Sequence, residues 1–261
     1  MTRLLPLLTL AASIPQAAAW GAMAHYAVAY VATNFITTDT RSYLQTLLAD
    51  TSTDYLATVA SWADSYRSTS TGAFSAPFHY IDALDNPPSS CGVSFSRDCG
   101  SSGCIVGAIS NYTTRLLTTS LTTTDRQIAA KMLVHFLGDI GQPLHCENLD
   151  VGGNDIDVTY SGASTNLHTV WDTKIPEHIS GGSTKAVAKT WAASLTAGKS
   201  PSSSPLPKSL PLTPCPFFTP RCPKLPFILS QHQHHRRENN DPDQKSHLES
   251  TPPPPPPGLQ A

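Results

Sequence analysis

The sequence predicts a mainly helical domain followed by a proline-rich tail. Apolar residues recur with the helical period in five segments between Trp20 and Ala197. Only one short run, "IDVTY", alternates as a strand does. Sixteen of the 23 prolines fall in the last 61 residues, and proline at this density removes backbone donors and blocks helices. We therefore expect a helical domain over residues 20–198 and no packed structure over residues 199–261.

The helices are predicted in the following order. "HYAVAYVATNFI" has apolar residues all round, as a buried central helix does. "DTRSYLQTLLAD" opens with Asp39 as its N-cap. The helical period continues in "DYLATVASWADSYR", "CIVGAISNYTTRLL" and "DRQIAAKMLVHFLGDI". The loops between them are rich in Asn, Pro, Ser and Gly, and "IDVTY" predicts a short strand in the last of these loops.

Residues 1–19 have the pattern of a secretory signal peptide. Arg3 gives a basic start, "LLPLLTLAASI" an apolar core too short to span a bilayer, and "AAA" a cleavage site before Trp20. The alternative is a buried first helix. The mature protein is expected to be soluble and either extracellular or vacuolar, where disulfides persist. The sequon "NYT" at Asn111 fits glycosylation on this route.

The charge of the chain limits how it can bind nucleic acid. Its formal net charge is −2 and its isoelectric point is near 6.5. A nucleic-acid-binding surface made of lysine and arginine is therefore not expected, and any positive charge at a binding site has to come from another source.

Histidine and aspartate recur in pairs one helical turn apart. His135 and Asp139 in "HFLGDIGQPLH" share a helix face, and Gly141 and Pro143 end that helix so that His145 can fold back. In "HTVWD", His168 and Asp172 repeat the spacing. A single pair also suits a core histidine hydrogen-bonded to aspartate. Two pairs together with His145 favour zinc, which binds imidazole and carboxylate.

Further candidates lie upstream. Asp64 in "SWADSYR" is predicted on the apolar side of its helix, where a carboxylate is costly unless it is paired or bound to a cation. His79 and Asp82 in "FHYID" follow a short loop, and His25 lies five residues after the predicted mature terminus. Taken singly, each is more typical of a structural role than of a functional one.

Six ordered motifs give a resemblance to a known family: "WGAMAH", "ASWAD", "FHYID", "HFLGDIGQPLH", "GGND" and "HTVWD". Between Trp20 and Ala197 the chain resembles the secreted zinc-dependent, single-strand-specific type I nucleases of fungi and plants, whose fold is shared with bacterial zinc phospholipase C. The resemblance implies a helical fold with three Zn²⁺ ions in a cleft. It also implies hydrolysis of single-stranded RNA and DNA to 5′-nucleotides, often with activity on 3′-nucleotides. We further expect a monomer without stable membrane association.

The resemblance assigns metal ligands to residues of this chain. The first zinc would be held by Asp64, His79, His135 and Asp139, and the second by His145, His168 and Asp172. The third would take the free amine and carbonyl of Trp20 with His25, and Asp139 would bridge to it from the first site. The amine becomes free only after cleavage before Trp20. Six charges from three Zn²⁺ against three aspartates would leave the cleft positive.

The metal ligands predict metal-assisted hydrolysis, in which a hydroxide between two zincs would attack phosphorus, with Asp64 as a catalytic metal ligand and Arg67, one turn later, holding a phosphate oxygen. The resemblance implies further roles around the substrate. Asp82 would lie near the attacking water or hydrogen-bond a base, and Tyr80, where phenylalanine is common, would stack on that base. For Asn154 a substrate contact and a loop-turn role remain open. The preference for single strands would be steric, because an unpaired base leaves its stack cheaply.

The chain departs from the family after Ala197, where other members continue with helices. Cys99 and Cys104 resemble the family's small loop disulfide, and Cys91 would ordinarily bond to the missing region. Cys146 is predicted to be unpaired. Cys215 and Cys222 are candidate partners of Cys91 only by default. Our hypothesis is that the tail is noncoding sequence that has been read through, from a retained intron or a frameshift.

Two other functions stay open at this point. The same metal cleft serves phospholipase C-like phosphodiesterases, although Tyr80 and Asp82 favour a nucleotide base over a choline. A chain without its closing helices could also be an inactive product that holds zinc poorly.

Overall fold

A computed structural model describes residues 20–86 and 89–197 of the 261-residue chain. The predicted signal peptide, the proline-rich tail and the cysteines at 215 and 222 lie outside the described residues. Within the described part, helices dominate and the strands form a single two-stranded sheet. The predicted mainly helical fold is confirmed.

The chain folds into helices and short turns in the following order. The helices are α1 (Ala22–Phe35), α2 (Thr38–Leu48), α3 (Tyr55–Val59), α4 (Trp62–Arg67), α5 (Phe95–Asp98), α6 (Ile105–Leu117), α7 (Thr123–Asp139), α8 (Asp150–Gly153), α9 (Leu167–Thr169), α10 (Ile175–Ser180) and α11 (Lys185–Thr196). Two 3₁₀ turns span Ala73–His79 and Pro143–Cys146, and a π-helical turn spans Val170–Lys174. The strands are β1 (Asp157–Tyr160) and β2 (Ala163–Asn166).

Two apolar cores hold these elements together. One lies between α6 and α7 and includes Ile105, Met132 and Phe136, all of them fully or almost fully buried. The other lies where α1 packs against α3 and α11, around Met23 and Tyr55. Helices α1 and α7 also contact each other. Three of the predicted metal ligands, His25, His135 and Asp139, therefore lie on the two helices that link the cores.

The ends of two helices differ from the prediction. Asp39 is not the N-cap of α2, because the hydroxyl of Thr37 accepts a hydrogen bond from the Thr40 amide and fills that role. Asp39 lies in the first turn of the helix, where its charge still faces the positive end of the helix dipole. The segment "DYLATVASWADSYR" is two helices, α3 and α4, separated at Ala60 and Ser61.

The predicted strand "IDVTY" is present and has a partner. β1 pairs antiparallel with β2, with Tyr160 opposite Ala163. Ser161 and Gly162 connect them, and both have positive φ. Positive φ at both central residues is the requirement of the two-residue hairpin turn whose twist matches the strands.

The cysteines follow the prediction only in part. The Cys99–Cys104 disulfide is present, as expected. Cys91 and Cys146 are also disulfide-bonded, so the prediction of an unpaired Cys146 is wrong. Cys146 is completely buried in the core around α7.

No helix in residues 20–86 and 89–197 combines the length and the apolar character that crossing a bilayer requires.

Candidate metal centre

Short elements and the ends of helices carry the predicted metal ligands. His25 lies on α1, Asp64 on α4, and His135 and Asp139 one turn apart on α7. The 3₁₀ turns supply His79 and His145, α9 supplies His168, and the π-helical turn supplies Asp172. All these side chains are buried except that of Asp64, which is 21% exposed. The structure thus brings eight residues from distant parts of the sequence into groups of neighbouring donor atoms.

Four donor atoms form the first cluster, made of Asp64, His79, His135 and Asp139. Asp139 Oδ2 lies 2.9 Å from His79 Nδ1 and 3.1 Å from His135 Nε2. Asp64 Oδ1 lies 3.5 Å from His135 Nε2 and 3.8 Å from His79 Nδ1. Ligands about 2.0–2.1 Å from a tetrahedral zinc are separated by about 3.3 Å. The donor spacing therefore fits such a site.

His25 lies on the other side of Asp139. Its Nε2 is 3.0 Å from Asp139 Oδ1, so the two oxygens of this carboxylate face different histidines. The His25 ring also stacks on His135, with centroids 3.9 Å apart. Trp20 is half-buried, and the adjacent Gly21 amide donates to the Asp172 carbonyl at 2.8 Å. The start of the described chain is thereby held beside the ligand-bearing segment around Asp172.

The second cluster consists of His145, His168 and Asp172. Their donor atoms lie within 4.8 Å of one another, and the two imidazole rings stack with centroids 5.0 Å apart. Asp172 Oδ2 lies 3.0 Å from His168 Nε2, and Oδ1 lies 3.7 Å from His145 Nε2. Two imidazole nitrogens on stacked rings and one carboxylate oxygen give three buried donors, a set able to hold one metal ion.

Backbone carbonyls fix three of the histidines. Nδ1 of His135 lies 2.7 Å from the Ala60 carbonyl, Nδ1 of His145 2.8 Å from the His79 carbonyl, and Nδ1 of His168 2.7 Å from the Gly152 carbonyl. A carbonyl only accepts, so each Nδ1 carries the hydrogen. The Nε2 lone pairs are thus left to point into the clusters, as in known metal sites.

Several donor atoms in these clusters lack a hydrogen-bond partner. Nε2 of His25, Nε2 of His145 and Oδ1 of Asp139 are buried in this condition. His25 and Asp139 lie within hydrogen-bonding distance but not at a hydrogen-bonding angle. Buried polar atoms are seldom left unpaired. Converging unpaired donors of this kind suit a divalent cation, so the residues present fit the zinc ions that the sequence predicts.

The pKa shifts show that the first cluster attracts positive charge. Burial alone lowers the pKa of His135, but Asp139 and Asp64 outweigh it and raise the pKa to about 10. Burial raises the pKa of Asp139, yet the charges of His135 and His25 hold it well below its usual value. Burial lowers the pKa of His25 and of His79. The carboxylates of the first cluster thus favour positive charge beside them, which a bound cation would supply.

The clusters open into a cleft of about 250 Å³. All four residues expected to contact substrate line it: Arg67, Tyr80, Asp82 and Asn154. Arg67 Nη2 lies 3.2 Å from Asp64 Oδ1, and Tyr80 is 41% exposed. Burial, followed by repulsion from Asp98, raises the pKa of Asp82. The amide of Asn154 donates to the Val151 carbonyl at 2.8 Å, so its loop-turn role is present beside its place in the cleft.

Sequence reasoning singled out "GGND" but missed the unusual backbone of α8, a left-handed turn that lines one side of this cleft. Asp150, Val151, Gly152 and Gly153 all have positive φ, and Val151, which is 63% exposed, lines the cleft. A β-branched residue in this conformation is an outlier of the kind that gathers at functional sites. A Cβ at Gly152 would lie 2.6 Å from the Leu144 carbonyl oxygen, which explains why glycine is required there. The two consecutive glycines were the available signal.

The fold and the clusters define a helical protein with histidine–aspartate groups, able to hold several metal ions, at the base of an open cleft. A family model described as S1/P1 nuclease matches residues 20–208. The chain belongs to the S1/P1 nuclease family, which confirms the family predicted from the six motifs.

Individual relatives agree with this assignment. Nuclease S1 of Aspergillus oryzae is 52% identical over 75% of this chain and 68% of its own length. Nuclease P1 of Penicillium citrinum is 49% identical over 67% of this chain and 65% of its own length. Endonuclease 3 of Arabidopsis thaliana is 36% identical over 66% of this chain and 59% of its own length. The matched part of the chain thus spans about two thirds of the length of the two fungal relatives and less of the plant relative.

Proposed function

We propose that the chain is a secreted metal-dependent nuclease that hydrolyses single-stranded RNA and DNA to 5′-nucleotides and also acts on 3′-nucleotides. The observation that carries this proposal is the convergence of eight buried or partly buried histidines and aspartates into clusters, three of whose histidines, His79, His145 and His168, line one cleft. Membership of the S1/P1 nuclease family, with relatives named nucleases and endonucleases, supports it.

The residues present would hold three Zn²⁺ ions. The first would lie in the first cluster, the second in the second cluster, and the third between His25, Asp139 and the amine and carbonyl of Trp20. Bound zinc would supply Lewis acidity and an activated water for phosphodiester hydrolysis. The start of the family match at residue 20 supports processing before Trp20, which would free the amine.

The side chains of the cleft have distinct roles in this proposal. Arg67 would hold a phosphate oxygen, and its ion pair with Asp64 keeps the guanidinium beside the first cluster. The exposed ring of Tyr80 would stack on a base. The raised pKa of Asp82 makes its carboxyl a better hydrogen-bond partner for a base or for the attacking water. Arg67, Tyr80 and Asp82 thus bind and orient the substrate.

The charge of the cleft explains how a slightly acidic chain would bind phosphate. Three Zn²⁺ carry six charges, and Asp64, Asp139 and Asp172 return three, so the cleft gains about three positive charges. A base must leave its stack for its phosphate to reach the recessed clusters, and this costs least in a single strand. The proposed substrate preference is therefore steric.

The proposal includes secretion, glycosylation and a monomeric state. Asn111 lies exposed on α6, where a glycan could be accommodated. The functional domain would comprise residues 20–198, and residues 199–261 would form a tail without a catalytic role.

One experiment tests the proposed function. The full chain is produced in a secretory host, its zinc content is measured by mass spectrometry, and nucleotide release is assayed on single-stranded and double-stranded DNA. We expect bound zinc and release from the single strand. Release of phosphocholine from lecithin instead would establish a phospholipase, and a zinc-free chain without activity would establish an inactive product.

A further inference from the structure

Gln142 is a fully buried polar side chain that the sequence patterns did not single out. Its Nε2 donates to Asp172 Oδ1 at 2.6 Å, and its Oε1 accepts from the Leu144 amide at 2.5 Å. It thereby links the 3₁₀ turn that carries His145 to the π-helical turn that carries Asp172, elements 30 residues apart in sequence.

The orientation of the Gln142 amide follows from its two neighbours. The backbone N–H of Leu144 can only donate, so the oxygen of the amide must face it. The NH₂ group is then left to face Asp172, and a carboxylate can only accept from it. Exchanging the two ends of the amide would leave both contacts without a hydrogen bond.

The contact makes the two oxygens of Asp172 unequal. Oδ1 already accepts from Gln142 and lies 3.7 Å from His145 Nε2. Oδ2 lies 3.0 Å from His168 Nε2 and faces the second cluster. The amide also steadies the carboxylate without adding a positive charge, whereas lysine or arginine would repel a cation here. Asp172 is therefore held with Oδ2 as the better donor.

We propose that Gln142 is a positioning residue of the second cluster, which fixes Asp172 as a one-oxygen ligand and so raises the zinc affinity of that cluster alone. This inference rests on the proposed function, which assigns a zinc ion to the second cluster. Residues that orient metal ligands typically contribute roughly 10–100-fold to metal affinity. A loss of that size, confined to one equivalent of zinc, is the expected effect of removing the amide.

The test uses Gln142→Asn and Gln142→Met in the full chain. Asparagine can cap Leu144 but is one methylene too short to reach Asp172 as well, whereas methionine loses both contacts. Zinc affinity is measured by competition with a chromophoric chelator at neutral pH, and circular dichroism reports folding. We expect both variants to bind one equivalent of zinc roughly 10–100-fold more weakly and to keep the affinity of the others.

Two controls separate positioning from a general loss of stability. Gln127 on α7 makes a similar amide contact, to the Leu47 carbonyl at 2.7 Å. Gln127→Met removes this contact and should leave every zinc affinity unchanged. Gln142→Asn should cause no further zinc loss in a His168→Ala background, because both changes affect the same cluster.

Wild-type zinc affinity in Gln142→Asn would overturn the inference and leave the proposed function standing. Equal weakening of every equivalent would overturn it too, since that result indicates a general loss of stability. A zinc-free wild-type chain would end both proposals.

Discussion

Gly138 lies directly against the imidazole of His25: a Cβ at Gly138 would lie 2.8 Å from His25 Nδ1. The ring cannot move aside easily, because its face stacks on His135 and its Nε2 lies 3.0 Å from Asp139. The absence of a side chain at this position of α7 therefore admits the histidine of α1 to the site.

Gly138→Ala tests this relationship. We expect the added methyl group to displace His25, to lower the free energy of unfolding by about 1–3 kcal/mol and to weaken zinc binding. Gly107→Ala is the matched control on α6, where the nearest atom to the new Cβ lies at an ordinary 3.7 Å. It should raise stability by up to about 1 kcal/mol and leave zinc binding intact. Equal zinc binding by both variants would contradict the proposal that the absence of a side chain at Gly138 is needed to place His25 in the site.

Asp139→Ala should have a large effect on both stability and zinc content. The carboxylate faces His25, His79 and His135, and removing one partner of such a buried group costs about 3–5 kcal/mol. Two of the three proposed zinc ions should also be lost, because the oxygens of Asp139 face different histidines.

The control for this variant is Asp125→Ala. The side chain of Asp125 is 37% exposed and forms an ion pair with Arg115. This substitution should cost under about 1 kcal/mol and no zinc. Denaturant titration of the metal-free proteins and zinc analysis give the two readouts. Equal losses of stability and of zinc in the two variants would show that Asp139 does not have the proposed role in the metal clusters.

Tyr80 should affect substrate binding through its ring and not through its hydroxyl. Tyr80→Ala is expected to weaken binding of single-stranded DNA by about 1–3 kcal/mol, roughly 5- to 150-fold in KM. Tyr80→Phe should retain the wild-type KM, because the ring is still present. Steady-state kinetics on a short oligonucleotide measures both variants, and an unchanged KM in Tyr80→Ala would exclude stacking.

Asp98 should make folding depend on pH in the acid range. Burial raises its pKa, but hydrogen bonds from Arg97 and from the amides of Ser94 and Leu84 outweigh burial and hold the pKa below 3.8. A depressed carboxyl pKa stabilises the fold above the unfolded value of 3.8, and this contribution is lost as the pH falls through the lower folded value.

Asp98→Asn should therefore reduce stability near neutral pH and flatten its decline below about pH 4. Denaturant titrations across the acid range provide the measurement. A variant that follows the wild-type curve at every pH would show that this carboxyl makes no such contribution.

The sequence predicted the ligand pairs but not what holds them. His135 with Asp139 and His168 with Asp172 are visible as i, i+4 spacings, because helical geometry is local. The break between α3 and α4 was not visible, since the apolar period runs through it. That break leaves the Ala60 carbonyl free to accept from His135, and only the tertiary fold brings these two residues together. Gln142 escaped notice for the same reason, because its partner lies 30 residues away.

The dependence of cleavage on bound zinc is tested by measuring metal content and activity in one sample of the secreted chain. Zinc is quantified and cleavage of single-stranded DNA is assayed before chelation, after chelation and after zinc is restored. We expect three equivalents of zinc, loss of cleavage with the metal, and recovery when zinc returns. Cleavage that persists in the metal-free chain would contradict this expectation.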